Sequence, residues 1–473
     1  METNTLEFDA QALREKILDL AMRGKLVPQD PNDEPASVLL EKIKAEKEQL
    51  IKDKKIKKSK PLAPIADDEK PFDIPDSWEW VRLEDVAKIE MGQAPKSNTV
   101  NQVGNGIEFH QGKTEFSDEF IKKSNKFTTL NNKVVNEDYI LMAVRAPVGD
   151  VNLLDRKIYI GRGLAGIKGY KIDKNYLFRY LMSEKAYYES HSSGSTFKAI
   201  NGNVIKDTPV PLPPLEEQSR IAAKIAQLFA LLRKVESSTQ QYTKLQDLLK
   251  SKVLDLAMRG KLVEQDPHDE PASVLLEKIK AEKEQLVKEG KIKKSKPLPP
   301  IADEEKPFDI PDSWEWVRLG DVLLDTIGGG TPSKNNSKFW NGKIPWISVK
   351  DVHENHYEIT STQDSITELG LKNSATNFIT ANTLIVVMRM AVGRIAVNTI
   401  DACINQDLRA LITSKYLFDK YLLYIYSHLN FETSGITVKG MKINSLLTTL
   451  VPLPPLLEQS KISAKIKQLF TLI

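Results

Sequence analysis

The sequence predicts an α+β protein in which two similar mixed α/β domains are held apart by a pair of long antiparallel, coiled-coil helices, the whole forming an internal pseudo-twofold, circularly organised repeat. Three observations predict it. Residues 18–83 recur at 254–319 with an offset of 236, and 59 of the 66 positions are identical. VPLPPLEEQSRIAAKIAQLF at 210–229 returns as VPLPPLLEQSKISAKIKQLF at 451–470, an offset of 241. Between these repeated frames lie two middles, 84–209 and 320–450, that differ over most of their length. A solenoid repeats every ~20–50 residues, so a period this long is a duplicated domain with its connector.

Composition sets the outer limits. A chain of 473 residues corresponds to about three domains, which the repeat sharpens to two globular units plus connectors. With 67 basic and 64 acidic residues the net charge is +3, so an affinity for nucleic acid would need a local basic face. The single cysteine, Cys403, excludes a disulfide framework and a cysteine metal cluster, and a reducing cytoplasm is the expected location. The polar start METNTLEFDAQ is not expected to be a signal peptide, and no apolar run approaches the length of a membrane span.

Residues 6–26 read as a helix, with Leu6, Leu13, Ile17, Leu20 and Ala21 at three-and-four spacing and Gly24 as its stop. A polar loop leads to a second helix from Ala36, whose alternating charges allow pairing between turns. The run KKIKKSKPLAP at 54–64 is either a solvated helix end or a phosphate-contacting patch. IPDSWEWVRL (74–83 and 310–319) opens each middle. Its tryptophans alternate as on a strand and are expected to pack at a domain entrance.

The first middle holds β-like runs at 139–144 and 157–160, then a helix at 175–191. The second holds runs at 344–349, 383–388 and 394–399, then a helix at 415–429. Strands followed by a helix indicate mixed α/β domains. Two anchors survive between the middles: VRAPVGDV (144–151) matches MRMAVGRI (388–395), and SGSTFKAI (193–200) matches SGITVKGM (434–441). The middles therefore share a fold and differ in loops, where binding chemistry usually sits.

Each middle leaves through VPLPPL, where the prolines forbid helix and impose an extended segment. The longest helix follows, over roughly 215–258. Ile221, Ile225, Leu228, Leu232, Val235, Thr239, Tyr242, Gln246, Leu249, Val253 and Leu256 recur at four-and-three spacing, a coiled-coil seam. At about 1.5 Å per residue such a helix spans about 65 Å. Residues 456–473 resemble its first part and 6–26 its last, so the two chain ends together supply a broken second copy of it. The predicted divisions are 1–75, 76–210, 211–311, 312–451 and 452–473.

Catalytic motifs are near misses. GIEFHQGKT (106–114) has the wrong glycine spacing for a phosphate-cradling loop. GRGLAG (161–166) and GGGTPS (328–333) read as turns. His353 and His356 lie close in sequence with no third ligand at metal spacing, so no metal is expected. Neither a G-x-S-x-G elbow nor the N/D-P-P-Y/F tetrapeptide of adenine methyltransferases occurs. The candidate binding residues are polar and basic. Arg145 matches Arg389, and Lys198 matches Lys439. Arg162, Lys334, Lys350, Arg394 and Arg409 are unmatched, and Asn405 and Gln406 are of the type that reaches adenine.

Over essentially its whole length the chain resembles the specificity subunit of type I restriction-modification systems. The residues that carry the resemblance are VPLPPLEEQSRIAAKI (210–225) and its copy at 451–466, RGKLV at 23–27 and 259–263, SGSTFKAI, and GGTPS…FWNGKIPWISVKD (329–351). The last is a specific signature for the start of a target-recognition domain. The first middle begins MGQAPKSNTV (91–100) instead. The resemblance implies a subunit with no catalysis or cofactor of its own, which reads one half of a split, asymmetric double-stranded DNA target with each domain. It implies that the conserved helices fix the unread spacer and dock two modification subunits, here through Ile221, Ile225, Leu228, Leu232, Leu249, Val253 and Leu256. Those subunits would carry S-adenosylmethionine, and motor-nuclease restriction subunits would bring ATP and magnesium. The C-terminal frame stops at Ile473, so the second helix of the pair is expected to be short. The competing readings are a protein-interaction scaffold on a coiled-coil rod with no DNA role, and a hidden nuclease or methyltransferase.

Overall fold

In the computed structural model the chain is described over residues 8–58, 62–194, 198–354, 356–434 and 439–473. It divides into two units, the first ending at Thr239 and the second beginning at Gln240. The division falls inside one continuous helix, Leu215–Met258.

In the first unit the frame builds a clamp around the middle. Helix Ala10–Met22 starts where the Asp9 carboxylate accepts from the Ala12 amide at 2.9 Å, and ends at Gly24 in the left-handed region (φ +66°). A side chain at Gly24 would strike the Pro75 ring at 2.4 Å. Helix Ala36–Lys52 follows. Strand Glu79–Arg82 pairs antiparallel with Pro209–Leu212, so the segments that enter and leave the middle lie side by side, with Val81 opposite Val210. Prolines are tolerated because this ladder has only two strands. The carbonyls of Pro209 and Pro211 accept from the Tyr180 and Tyr176 hydroxyls, the latter at 2.5 Å.

The middle is two sheets. One runs Ala87–Met91, Leu164–Gly169, Ile140–Ala143, Val151–Leu153, all antiparallel. The other runs Val100–Asn101, Phe127–Thr128, Ile107–His110, Ile158–Ile160, Val134–Val135, with one parallel pair at its centre. The helix expected over 175–191 is two pieces, Lys174–Ser183 and Lys185–Ser190, broken at Glu184. The break lets Tyr188 point inward to Thr208 while Tyr176 and Tyr180 reach the outgoing strand.

The second unit repeats the plan. Glu315–Arg318 pairs with Leu450–Leu453. One sheet runs Leu323–Gly328, Leu408–Thr413, Leu384–Val387, Ile395–Asn398, Glu358–Ile359. The other runs Asp364–Ile366, Trp340–Ile347, Ala402–Ile404, Asn377–Ile379. The helix expected from 415 begins later, at Asp419–Ile425, because the Ser414 carbonyl and hydroxyl turn the chain by accepting from the Leu417 and Tyr416 amides.

Within each unit the long helix has an antiparallel partner of its own. In the first, Arg14 pairs with Glu236, and Leu18, Ala21 and Met22 pack in one core with Ile221, Ile225 and Phe229. In the second, Gln246 donates to the Ile473 carbonyl, and Leu254, Ala257 and Met258 share a core with Ile462 and Ile466. The eleven-residue seam is therefore corrected. Ile221 and Ile225 are fully buried in their own unit, and Leu228, Leu232, Val253 and Leu256 are half-buried. Val235 and Leu249 are exposed even though the partner helices reach Glu236 and Gln246, and Tyr242 lies between those two points and is exposed as well. Buried Phe229, Leu254 and Ala257 take part instead. Among the described residues no helix is long and apolar enough to cross a membrane.

Gly24→Ala and its twin Gly260→Ala (φ +66°, Pro311 ring at 2.4 Å) are each expected to cost about 1–3 kcal/mol in urea unfolding. An unchanged midpoint would show that the turn yields freely. Burial pushes the Glu184 carboxyl up to about 7. Its folded pKa thus exceeds the unfolded value of roughly 4.3, and stability falls as pH rises between the two and is level above. Glu184→Gln should remove that fall, so thermal melts should favour the variant more at pH 8 than at pH 5.

Candidate functional site

In each unit three separated segments meet at one rim. In the first, the turn after Ile140–Ala143 carries Arg145, and the connection from Ile158–Ile160 to Leu164–Gly169 carries Arg162. The strand-like stretch near Ala199 carries Lys198. The Val144 amide donates to the Gly163 carbonyl at 2.9 Å, Arg145 bridges Ala199, and the Ala146 amide donates to the Lys198 carbonyl at 2.9 Å. Arg145, Arg162 and Lys198 are exposed, and none has a side-chain partner among the described residues. Three cations without a side-chain partner among the described residues thus lie on the segments that meet at this rim.

The second unit makes the same rim. The Met388 amide donates to the Asp407 carbonyl at 2.7 Å, Arg389 bridges Gly440, and the Met390 amide donates to the Lys439 carbonyl at 2.9 Å. Here the chemistry differs. Arg389 has the Asp407 carboxylate at 3.7 Å. Gln406 is exposed and accepts from the Thr331 hydroxyl. Lys439 is exposed and has no side-chain partner among the described residues. Of the matched stretches SGSTFKAI and SGITVKGM, residues 195–197 and 435–438 lie outside the described residues, as do 59–61 of the lysine-rich run.

The remaining predicted residues are placed elsewhere. Asn405 is buried, and its side-chain carbonyl accepts from the Asp407 amide at 3.0 Å, so it shapes the loop. Arg409 is half-buried against the Thr326 hydroxyl at 2.8 Å. Arg394 is tied to the Val352 carbonyl at 3.2 Å, with Glu354 at 3.8 Å. Lys334 and Lys350 are exposed and unpaired among the described residues. His353 and His356 approach ring to ring at 6.2 Å, and among the described residues no cluster of three ligating side chains could hold a metal.

Two supports of the rim were not legible. His110 is fully buried, with its Nε2 2.8 Å from Glu108, and Arg156 grips the same carboxylate with two 2.7 Å contacts. Burial raises the Glu108 carboxyl, but Arg156, the Ser124 amide and His110 outweigh it and hold it down at about 2. This anchor fixes the strand whose His110 carbonyl accepts from the Gly161 amide at 2.7 Å. In the second unit the GGTPS signature has a steric cause. A Cβ on Gly329 would lie 2.0 Å from the Asn405 carbonyl oxygen, and one on Gly330 would lie 2.3 Å from the Ala375 carbonyl carbon. Trp346 then donates to the Gly330 carbonyl at 3.2 Å, and Trp340 to the Ser333 carbonyl at 3.1 Å, while the two rings meet edge-on.

Known proteins share this layout. A family model described as the type I restriction modification DNA specificity domain matches residues 75–244 and 311–473. The type I restriction enzyme EcoEI specificity subunit of Escherichia coli is 31% identical, over 98% of this chain and 89% of that protein. The EcoAI specificity subunit of the same organism is 36% identical over 67% of this chain and 62% of its own length. A chain in a solved structure of the type I R-M system has the same fold, with a TM-score of 0.57 at 21% identity over 85% of this chain and 92% of that one. Both family matches begin where the IPDSW segment hands each frame to its middle, and the chain belongs to the DNA specificity subunits of type I restriction-modification systems.

Proposed function

We propose that this subunit reads a split, asymmetric DNA target, one half through each of the regions 76–210 and 312–451, and brings the modification and restriction subunits to it. The observation that carries the reading is the rim built twice on the same backbone hydrogen bonds with different side chains. Matched cations, Arg145 with Arg389 and Lys198 with Lys439, suit phosphates, which are the same in every sequence. Unmatched side chains suit base edges, which are not. Lys334 and Lys350, exposed and without a side-chain partner among the described residues, would add phosphate contacts in the second unit.

The conserved helical regions 1–75, 211–311 and 452–473 would hold two modification subunits, since two copies of a frame suit two copies of one partner. Ile221 and Ile225 are committed to their own core. Exposed apolar side chains along the middle of the long helix that remain for a partner include Leu231 and Val235 in the first unit and Tyr242, Leu245, Leu248 and Leu249 in the second. Adenine methylation with S-adenosylmethionine would then belong to those partners, and ATP- and magnesium-dependent restriction to a further subunit, in the cytoplasm.

The decisive test is methylation mapping of a plasmid in cells that carry the modification subunit with and without this chain. A split motif that depends on this chain supports the reading. Exchanging region 312–451 for that of a relative should replace one half-site and leave the other, whereas a motif indifferent to the exchange would refute it. Arg145→Ala and Lys198→Ala in the assembled methyltransferase should each weaken binding on all sequences alike and reduce the salt slope by about 1. Unaltered slopes would remove these residues from the DNA.

A further inference from the structure

Arg162 and Gln406 stand at the same place in two copies of one loop. The spacing from the matched arginines is identical, since 389 − 145 and 406 − 162 both equal 244. The backbone repeats with it. The Gln93 amide donates to the Ile160 carbonyl at 3.1 Å, as Gly330 does to Ile404 at 3.0 Å. The Gly161 amide donates to His110 at 2.7 Å, as Asn405 does to Ile347 at 3.0 Å. The Val144–Gly163 bond recurs as Met388–Asp407. On this common scaffold each tip residue is exposed and immediately precedes the residue, Gly163 or Asp407, whose carbonyl accepts from the amide just before the matched arginine.

Only the side chain changes. Arg162 lies between two glycines, with no partner for its guanidinium among the described residues. Gln406 has its amide oriented: Oε1 accepts from Thr331, and Nε2 donates to the Asp407 carboxylate at 3.3 Å. One lone pair and one hydrogen remain on that amide. A free guanidinium fork matches the O6 and N7 acceptors of guanine, and a carboxamide matches the N6 donor and N7 acceptor of adenine.

We propose that this tip is a specificity-determining position in both units, with Arg162 reading a guanine in one half-site and Gln406 an adenine in the other. The inference rests on the reading that the two rims face DNA. The basic neighbours hold phosphates, so a change at the tip alters the preferred base without abolishing binding.

The test is methylation mapping of the assembled methyltransferase carrying Arg162→Gln or Gln406→Arg, with binding to duplexes that vary one base at a time. Arg162→Gln is expected to turn one guanine of one half-site into adenine or into a degenerate position. Discrimination there should fall roughly 5- to 150-fold, with the other half-site unchanged. Gln406→Arg should do the converse in the other half-site. Either variant keeping the wild-type motif at full discrimination overturns the proposal, and so does equal weakening on every sequence. If Arg145→Ala and Lys198→Ala reduce affinity and salt slope while the tip variants leave the motif intact, only the tip assignment fails. If neither pair has any effect, the DNA-facing reading of the rims fails with it. Arg162 has no side-chain partner to lose among the described residues, so a folding defect in Arg162→Gln would itself contradict the exposed placement, and Gln406→Arg gives an independent measurement.

Discussion

A buried carboxylate holds each frame together. Glu217, in the first turn of the long helix, accepts from the Trp78 indole at 2.9 Å and from the Gln29 amide at 2.5 Å. Its twin Glu458 accepts from Trp314 at 2.9 Å and from Gln265. Each carboxylate thus joins the loop after the first helix, the strand that opens the middle, and the helix that follows its exit. Burial pushes both carboxyls up in pKa, and the indole and amide donors pull against it. A hydrogen bond to a charged group contributes about 1.5–3 kcal/mol, and a partner removed from such a site leaves a buried charge unpaired.

The neighbouring glutamine completes the joint. Gln218 donates to the Pro213 carbonyl at 2.9 Å and accepts from the Asp173 amide at 2.9 Å; Gln459 does the same with Pro454 and Phe418. An extended proline segment has carbonyls but few amides to offer, so side chains from the helix and the tyrosines satisfy it. This explains why the EQ pair in the repeated frame survives while the middles diverge. The frame positions a rim, and the rim is free to change.

That division between scaffold and surface gives the two rims their character. The first is tipped by Arg162 between glycines, and its cations have no ion-pair partner among the described residues. The second places Asp407 beside Arg389 and tethers Gln406. A similar exchange occurs behind the rim. Asp150, bound by Lys113 and by Lys185 at 2.8 Å, corresponds to Arg394, which instead faces Glu354. Charge is reversed at one position while its backbone hydrogen bond, from Ala143 to Asp150 in one unit and from Val387 to Arg394 in the other, is kept.

The repeat, the proline-bounded middles, the long helix and the family were all legible in the sequence, because each is a local pattern or a direct likeness between stretches of chain. The correspondence of Arg145 with Arg389 and of Lys198 with Lys439 was legible too, through the anchors that recur. The equivalence of Arg162 and Gln406 was also present as a constant offset, but only paired backbone hydrogen bonds gave it meaning. Whether Asn405 faces outward, whether Arg409 is free, where the helix seam stops being buried and which cations share a rim were decided by tertiary structure alone. These properties depend on contacts between residues far apart in the chain, and helical spacing or residue type does not encode which distant segment supplies the partner.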